Sequence, residues 1–157
     1  MSLAGKHYLA AVIWVLLFGV IYLVLDASMQ PKVAAGAAGE IVIPRSRDAH
    51  FYLAGEINGQ AMVFMVDTGA TTVSVGAALA ERLGLPPGRP VQVGTANGVA
   101  RGAEVLGQTV SLGGITIRDV RILVLPEMGE HALLGQNVLR HLEVVQTSER
   151  MVLRRKP

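Results

Sequence analysis

A chain of 157 residues with a formal net charge of +2 has room for one domain and an appendage. It contains no cysteine, which excludes disulfides, cysteine-ligated zinc and thiol catalysis. From residue 41 onward the positive excess comes entirely from Arg154, Arg155 and Lys156, and the aromatics are Phe51, Tyr52 and Phe64, so no basic face or base-stacking platform for nucleic acid is expected.

Tyr8 to Leu25 is an uncharged run of eighteen residues with no polar face. That is about the 17 to 20 residues needed to span a bilayer, so the reading is a transmembrane helix, with residues 1–25 as an N-terminal membrane anchor. A secretory signal has a shorter apolar core of about 7 to 15 residues and a small-x-small cleavage site. Leu25-Asp26-Ala27 is a poor one, and cleavage near Ala35 is the alternative. Lys6 precedes the run and Asp26 follows it, which favours a cytoplasmic N-terminus with the rest of the chain outside. Residues 26–40 carry seven Ala or Gly among fifteen and read as a flexible linker, so the domain proper spans 41–157.

Val and Ile dominate that domain and turn signals are frequent, which predicts an all-β fold. Phe51 to Ile57 and Gln60 to Val66 are the arms of a hairpin turned at Asn58-Gly59, a strong two-residue turn signal. The second arm ends on Asp67-Thr68-Gly69. After a short strand over Thr71 to Val75, Ser74 is placed to cap a helix from Gly76 to Leu83. Val91 to Val93 and Val99 to Val105 form a hairpin whose tip is Gly94-Thr95-Ala96-Asn97-Gly98. Val110 to Leu112 and Ile115 to Ile117 flank Gly113-Gly114. Val120 to Leu125 reads as a buried strand, and Leu133-Leu134-Gly135 precedes a short helical segment from Gln136 to Leu142. Glu143 to Gln146 and Met151 to Arg154 close the chain as a last hairpin. About eight strands and one or two short helices fit a small closed β-barrel.

The chemistry narrows to one residue. Zinc-protease, serine-hydrolase and phosphate-loop motifs are missing, and His50, His131 and His141 lack ligand spacing, so neither metal nor organic cofactor is expected. Asp48 sits in a polar loop with Arg45, Arg47 and His50, and Asp119 follows Arg118 in a solvated setting. Only Asp67 is framed by apolar strands and a glycine turn. A carboxylate partly buried without a partner costs stability, and a sequence that accepts this cost is expected to use the acid. Two such carboxylates sharing one proton supply an acid and a base, because like charges a few ångströms apart cannot both ionise. The chain has one Asp-Thr-Gly, so the second acid is expected from a second copy across a twofold axis.

Asp67-Thr68-Gly69-Ala70-Thr71, preceded by Val63-Phe64-Met65-Val66 and followed by Leu133-Leu134-Gly135, resembles the retropepsin-like aspartic proteases of clan AA. With His50-Phe51-Tyr52, Gly55 to Gly59, Leu83-Gly84-Leu85, Thr95 to Gly98 and the terminal Leu-Arg-Arg, it is similar to their membrane-anchored bacterial branch. The resemblance implies a barrel of retropepsin type and an aspartic endopeptidase that is homodimeric and acts on a polypeptide. It also implies a single-pass protein of the bacterial inner membrane with its domain in the periplasm. Asp67 would be the acid/base, Thr68 would brace the two loops across the axis, and Gly69 would let backbone approach the carboxylate. Thr95, Ala96, Asn97 and Gly98 would be the tip of a flap over the substrate, while Ala70, Thr71, Leu133, Leu134 and Gly135 would support the site. Two departures stand out. Thr71 replaces an acid that anchors substrate backbone in viral relatives, and Ala70 replaces a hydroxyl near the carboxylate, which predicts a less acidic optimum. A tethered binding or scaffold module that keeps the fold without turnover is the rival expectation.

Overall fold

The computed structural model describes residues 12–23, 39–95 and 98–156, in two compact units, Met1–Pro31 and Lys32–Pro157. In the first unit residues 12–23 form helix α1, whose large apolar side chains are exposed, with the Trp14 and Phe18 rings 5.8 Å apart. Among the described residues no helix is long and apolar enough to cross a membrane. Residues 8–11 and 24–25 of the expected span, and the expected linker up to residue 38, lie outside the described residues.

The second unit runs β1 (Glu40–Pro44), β2 (Tyr52–Ile57), β3 (Gln60–Val66), β4 (Val73–Gly76), α2 (Ala77–Arg82), β5 (Arg89–Thr95), β6 (Gly98–Leu112), β7 (Ile115–Leu125), β8 (Ala132–Leu134), α3 (Gln136–Leu139), β9 (Leu142–Gln146) and β10 (Arg150–Arg155). Six strands in the order β2-β3-β8-β4-β7-β6 close into a barrel where Gly55–Ile57 of β2 pairs with Val110–Leu112 of β6. Strand β5 hangs on the edge of β6 outside that ring.

Local chemistry explains the closure. Asn58 and Gly59 both take positive φ, 52° and 80°, as the expected two-residue turn demands. Asn58 then binds the far wall. Its N–H donates to the Thr109 carbonyl and its Oδ1 accepts from the Thr109 N–H, both at 2.9 Å, while its Nδ2 donates to Gln108 Oε1 at 2.6 Å. The turn therefore fastens the β2–β3 hairpin to β6. Inside, Ile57, Phe64, Val73, Val75, Val110, Leu112, Ile122 and Leu134 are fully buried, each worth about 1.5 to 3 kcal/mol.

The structure differs from the sequence reading at several points. Ile115–Ile117 and Val120–Leu125 lie on one strand, β7, and the helical segment read as Gln136 to Leu142 ends at Leu139, with Leu142 opening β9. Val99–Val105 and Val110–Leu112 belong to one long strand, bent where Gly107 takes φ +73° and the pairing with β7 shifts register between Val105 and Gln108. Glu40–Pro44 is a strand with no counterpart in the sequence reading; it pairs with β10, which pairs with β9, and buries Ile41 and Ile43 opposite Leu153 and Met151. Ser74 does not cap α2, because its strand continues to Gly76, the true N-cap, and the Ser74 hydroxyl donates to the Thr72 carbonyl at 3.2 Å. Strand β4 begins at Val73 rather than Thr71, because the preceding backbone is engaged elsewhere.

Candidate active site

The loop from 67 to 72 joins β3 to β4, and β8 is inserted between those two strands. Phe64–Val66 runs parallel to Ala132–Leu134, while Ser74 faces Leu133 across an antiparallel contact. The loop therefore crosses the end of β8, where the chain turns at Gly135 into α3. Backbone bonds stitch the two together: Asp67 N–H to the Leu134 carbonyl at 3.2 Å, Gln136 N–H to the Ala70 carbonyl at 2.8 Å, and Asn137 N–H to the Thr71 carbonyl at 3.1 Å. Side chains add more. Gln136 Nε2 donates to the Thr68 carbonyl at 2.8 Å, and Asn137 bridges strands, accepting from Val73 N–H at 2.9 Å and donating to the Arg121 carbonyl at 2.8 Å. Contact is so close that a Cβ at Gly135 would lie 2.6 Å from the Thr72 carbonyl atoms.

Held this way, the Asp67 side chain is half-buried and its Oδ1 accepts the Gly69 N–H at 2.9 Å. A Cβ at Gly69 would lie 3.3 Å from the same oxygen, a tight contact. The carboxylate opens on a cavity of about 690 Å³ that is lined on the loop side by Gly69, Ala70 and Thr71, and on the far side by Val93, Gly94 and Thr95 of β5. Its apolar wall is Leu123, Leu125 and Leu133. An adjoining cavity of about 550 Å³ shares Thr95, Leu125 and Leu133 and adds Val99, Ala100 and Met128. Asp67 is the one carboxylate lining the larger cavity among the described residues.

Of the site residues expected from sequence, the structure thus gathers Asp67, Gly69, Ala70, Thr71, Thr95 and Leu133 around one space. Leu134 is buried beneath it and Gly135 is buried against Thr72. Thr68 is exposed, with its carbonyl tied down by Gln136. Thr95 pairs with Gly98, its hydroxyl donating to the Gly98 carbonyl at 2.9 Å; Ala96 and Asn97, between them, lie outside the described residues. Among the described residues no cluster of three or more His, Cys, Asp or Glu could hold a metal ion.

Sequence reading missed Gln136 and Asn137, whose side chains fix the loop, and it assigned Leu123 and Leu125 to the core although they are half-buried and face the cavity. It also placed Asp48 among Arg45, Arg47 and His50. The decisive partner is Tyr52, whose hydroxyl donates to Asp48 Oδ2 at 2.6 Å and holds the Asp48 carboxyl below its ordinary range, with the His50 N–H adding to the effect at 3.1 Å. Burial, and then Asp48 itself, push the Tyr52 phenol up to about 12.

A six-stranded closed barrel with an Asp-Thr-Gly loop at its mouth and a hairpin facing that loop defines the retropepsin-like aspartyl proteases. The chain belongs to this family: residues 53–141, more than half of its length, match the profile described as gag-polyprotein putative aspartyl protease. The crystal structure of a retropepsin-like aspartic protease from Rickettsia conorii superposes with a TM-score of 0.62 at 27% identity, covering 73% of this chain and 88% of that one. Two curated relatives carry no described activity. An uncharacterized protein in the cobV 5′ region of Sinorhizobium sp. is 34% identical over 111 residues, and an uncharacterized protein of Rickettsia prowazekii (strain Madrid E) is 36% identical over 78. These alignments take in 68% and 48% of this chain, which spans about half (48%) and about a third (34%) of the length of those relatives.

Proposed function

We propose that the chain is an aspartic endopeptidase whose active site is completed by a second copy of itself. The observation that carries this reading is the Asp67 carboxylate, braced by the Gly69 N–H at 2.9 Å and opening on a peptide-sized cavity that the β5–β6 hairpin faces. One copy supplies one carboxylate there, and the chemistry needs two. With two Asp67 side chains sharing a proton, the ionised member takes a proton from water as the water oxygen attacks the scissile carbonyl carbon. The protonated member gives its proton to the carbonyl oxygen. Collapse of the tetrahedral adduct breaks the C–N bond, and the leaving amine takes up the proton removed from water. Thr68, exposed with its carbonyl anchored, is suited to reach across the axis to its counterpart.

Residues 95–98 would close over the bound chain and exclude water. Strand β5 ends the sheet, so its outer edge is available to an extended polypeptide by strand addition. The apolar side chains exposed on α1 favour burial in lipid, consistent with an anchor over residues 8–25 in a bacterial inner membrane and a periplasmic domain. Confining two copies to one surface would raise their effective concentration.

The test compares the 157-residue chain with its Asp67→Asn variant on denatured protein, with and without a transition-state-mimicking aspartic protease inhibitor, while sedimentation reports the oligomer. The variant is expected to fold and to lose cleavage by about 10² to 10⁴-fold or more. Retained turnover by pure variant overturns the proposal, as does turnover by a strictly monomeric chain. Binding without turnover by either protein would identify a tethered binding module instead.

A further inference from the structure

Beside the Asp67 cavity lies a groove of about 620 Å³ that takes its walls from Thr71, from Arg118 and Arg121 of β7, and from Gln136, Arg140 and His141. Thr71 lines both spaces, so the two adjoin at that residue. The groove holds more cations than anions. Arg121 reaches Glu104 at 3.3 Å, but that carboxylate is already held at 2.7 Å by Arg89. Arg140 meets His141, nitrogen to nitrogen, at 3.4 Å, and Lys156 brings a further charge by donating to the Arg140 carbonyl at 2.7 Å. Among the described residues neither Arg118 nor Arg140 has a carboxylate at ion-pair distance, and Asp119 is the one acid in the lining. Guanidinium groups are weakly hydrated and present planar forks that match carboxylates.

We propose that this groove is a distal substrate subsite that receives Asp or Glu side chains of the polypeptide, so that the preferred substrate carries an acidic stretch beside an apolar one. The inference rests on reading the Asp67 cavity as the peptide cleft. The apolar partner of the motif follows from Leu123, Leu125 and Leu133 in that cleft. Thr71, which lines both spaces, is uncharged and so does not repel an acidic chain at the boundary. Each exposed charge contact is weak and screened by salt, so selectivity arises from Arg118 and Arg140 acting together and fades as ionic strength rises.

The test uses the Asp67→Asn variant of the 157-residue chain, which leaves peptides uncut. Two labelled peptides share one apolar segment, flanked on both sides by Glu-Asp-Glu in the first and by Gln-Asn-Gln in the second. The acidic peptide is expected to bind about three- to tenfold more tightly at low salt. That gap should vanish in Arg118→Ala/Arg140→Ala and survive in Arg118→Lys/Arg140→Lys, which separates lost charge from lost folding. Equal binding of the two peptides, a gap that persists in the alanine pair, or no binding at all overturns the inference. Wild-type turnover of the same peptides keeps the two readings apart. Asp67-dependent cleavage without acidic preference sinks the groove alone, whereas arginine-dependent binding without cleavage sinks the protease reading and supports the groove.

Discussion

Replacing Asn137 with alanine tests the claim that α3 holds the Asp67 loop through side chains. The change removes the acceptor for Val73 N–H at 2.9 Å and the donor to the Arg121 carbonyl at 2.8 Å. Val73 is fully buried, so its N–H cannot turn to water. Losing the two bonds costs about 0.5 to 1.5 kcal/mol each, and a stranded buried donor raises the total to about 2 to 4 kcal/mol. Against a stability of about 5 to 15 kcal/mol that is a large share, and at roughly 4 °C per kcal/mol it lowers the melting temperature by about 8 to 16 °C. Urea and thermal unfolding of Asn137→Ala read the loss directly. Asn137→Asp keeps the acceptor and should sit between wild type and alanine. An alanine variant within about 0.5 kcal/mol of wild type would refute the reasoning, because ordinary surface substitutions fall in that range.

Two other perturbations probe neighbouring features. Gly135→Ala puts a Cβ 2.6 Å from Thr72 backbone that cannot swing aside, so it should destabilise by about 1 to 3 kcal/mol and displace the loop; unchanged unfolding curves would contradict that packing. Tyr52→Phe removes the hydrogen bond that most depresses the Asp48 pKa, so Asp48 should titrate closer to its ordinary value of 3.8. A depressed folded pKa contributes stability that is present above 3.8 and lost as pH falls through the folded value, so the stability gap between wild type and variant should shrink in acid. At the alkaline end, the raised Tyr52 pKa implies a contribution intact below pH 10.0 and lost as pH rises through about 12. Melting temperatures across pH would check both, and a gap independent of pH would contradict the pairing.

What the sequence disclosed follows from how local each cause was. Asn58-Gly59 fixed a turn by its own backbone preference, and the apolar run that follows leads straight into Asp67, so the hairpin delivering Asp67 could be read without a structure. The roles of Gln136 and Asn137 could not. Their partners are a carbonyl 68 residues away and an N–H 64 residues away, and an amide side chain after a glycine looks the same whether it caps, solvates or bridges. Strand β1 escaped notice because its status depends on β10 at the other end of the chain. The continuity of β6 between Val105 and Val110 was not legible because a glycine such as Gly107 between apolar runs marks a turn as readily as a bulge, and only the continued pairing with β7 decides it.

The position of β5 outside the ring has a mechanical meaning. The rungs that close the barrel join residues 55–57 to 110–112, whereas β5 grips β6 only over 98–104. The arm formed by β5 and the first half of β6 is therefore a cantilever. Its free end can swing without breaking any rung of the frame, and its root is clamped where Glu104 meets Arg89 at 2.7 Å and Arg121 at 3.3 Å. Frame and arm are separable parts: the rungs that close the barrel and hold the Asp67 loop do not run through β5.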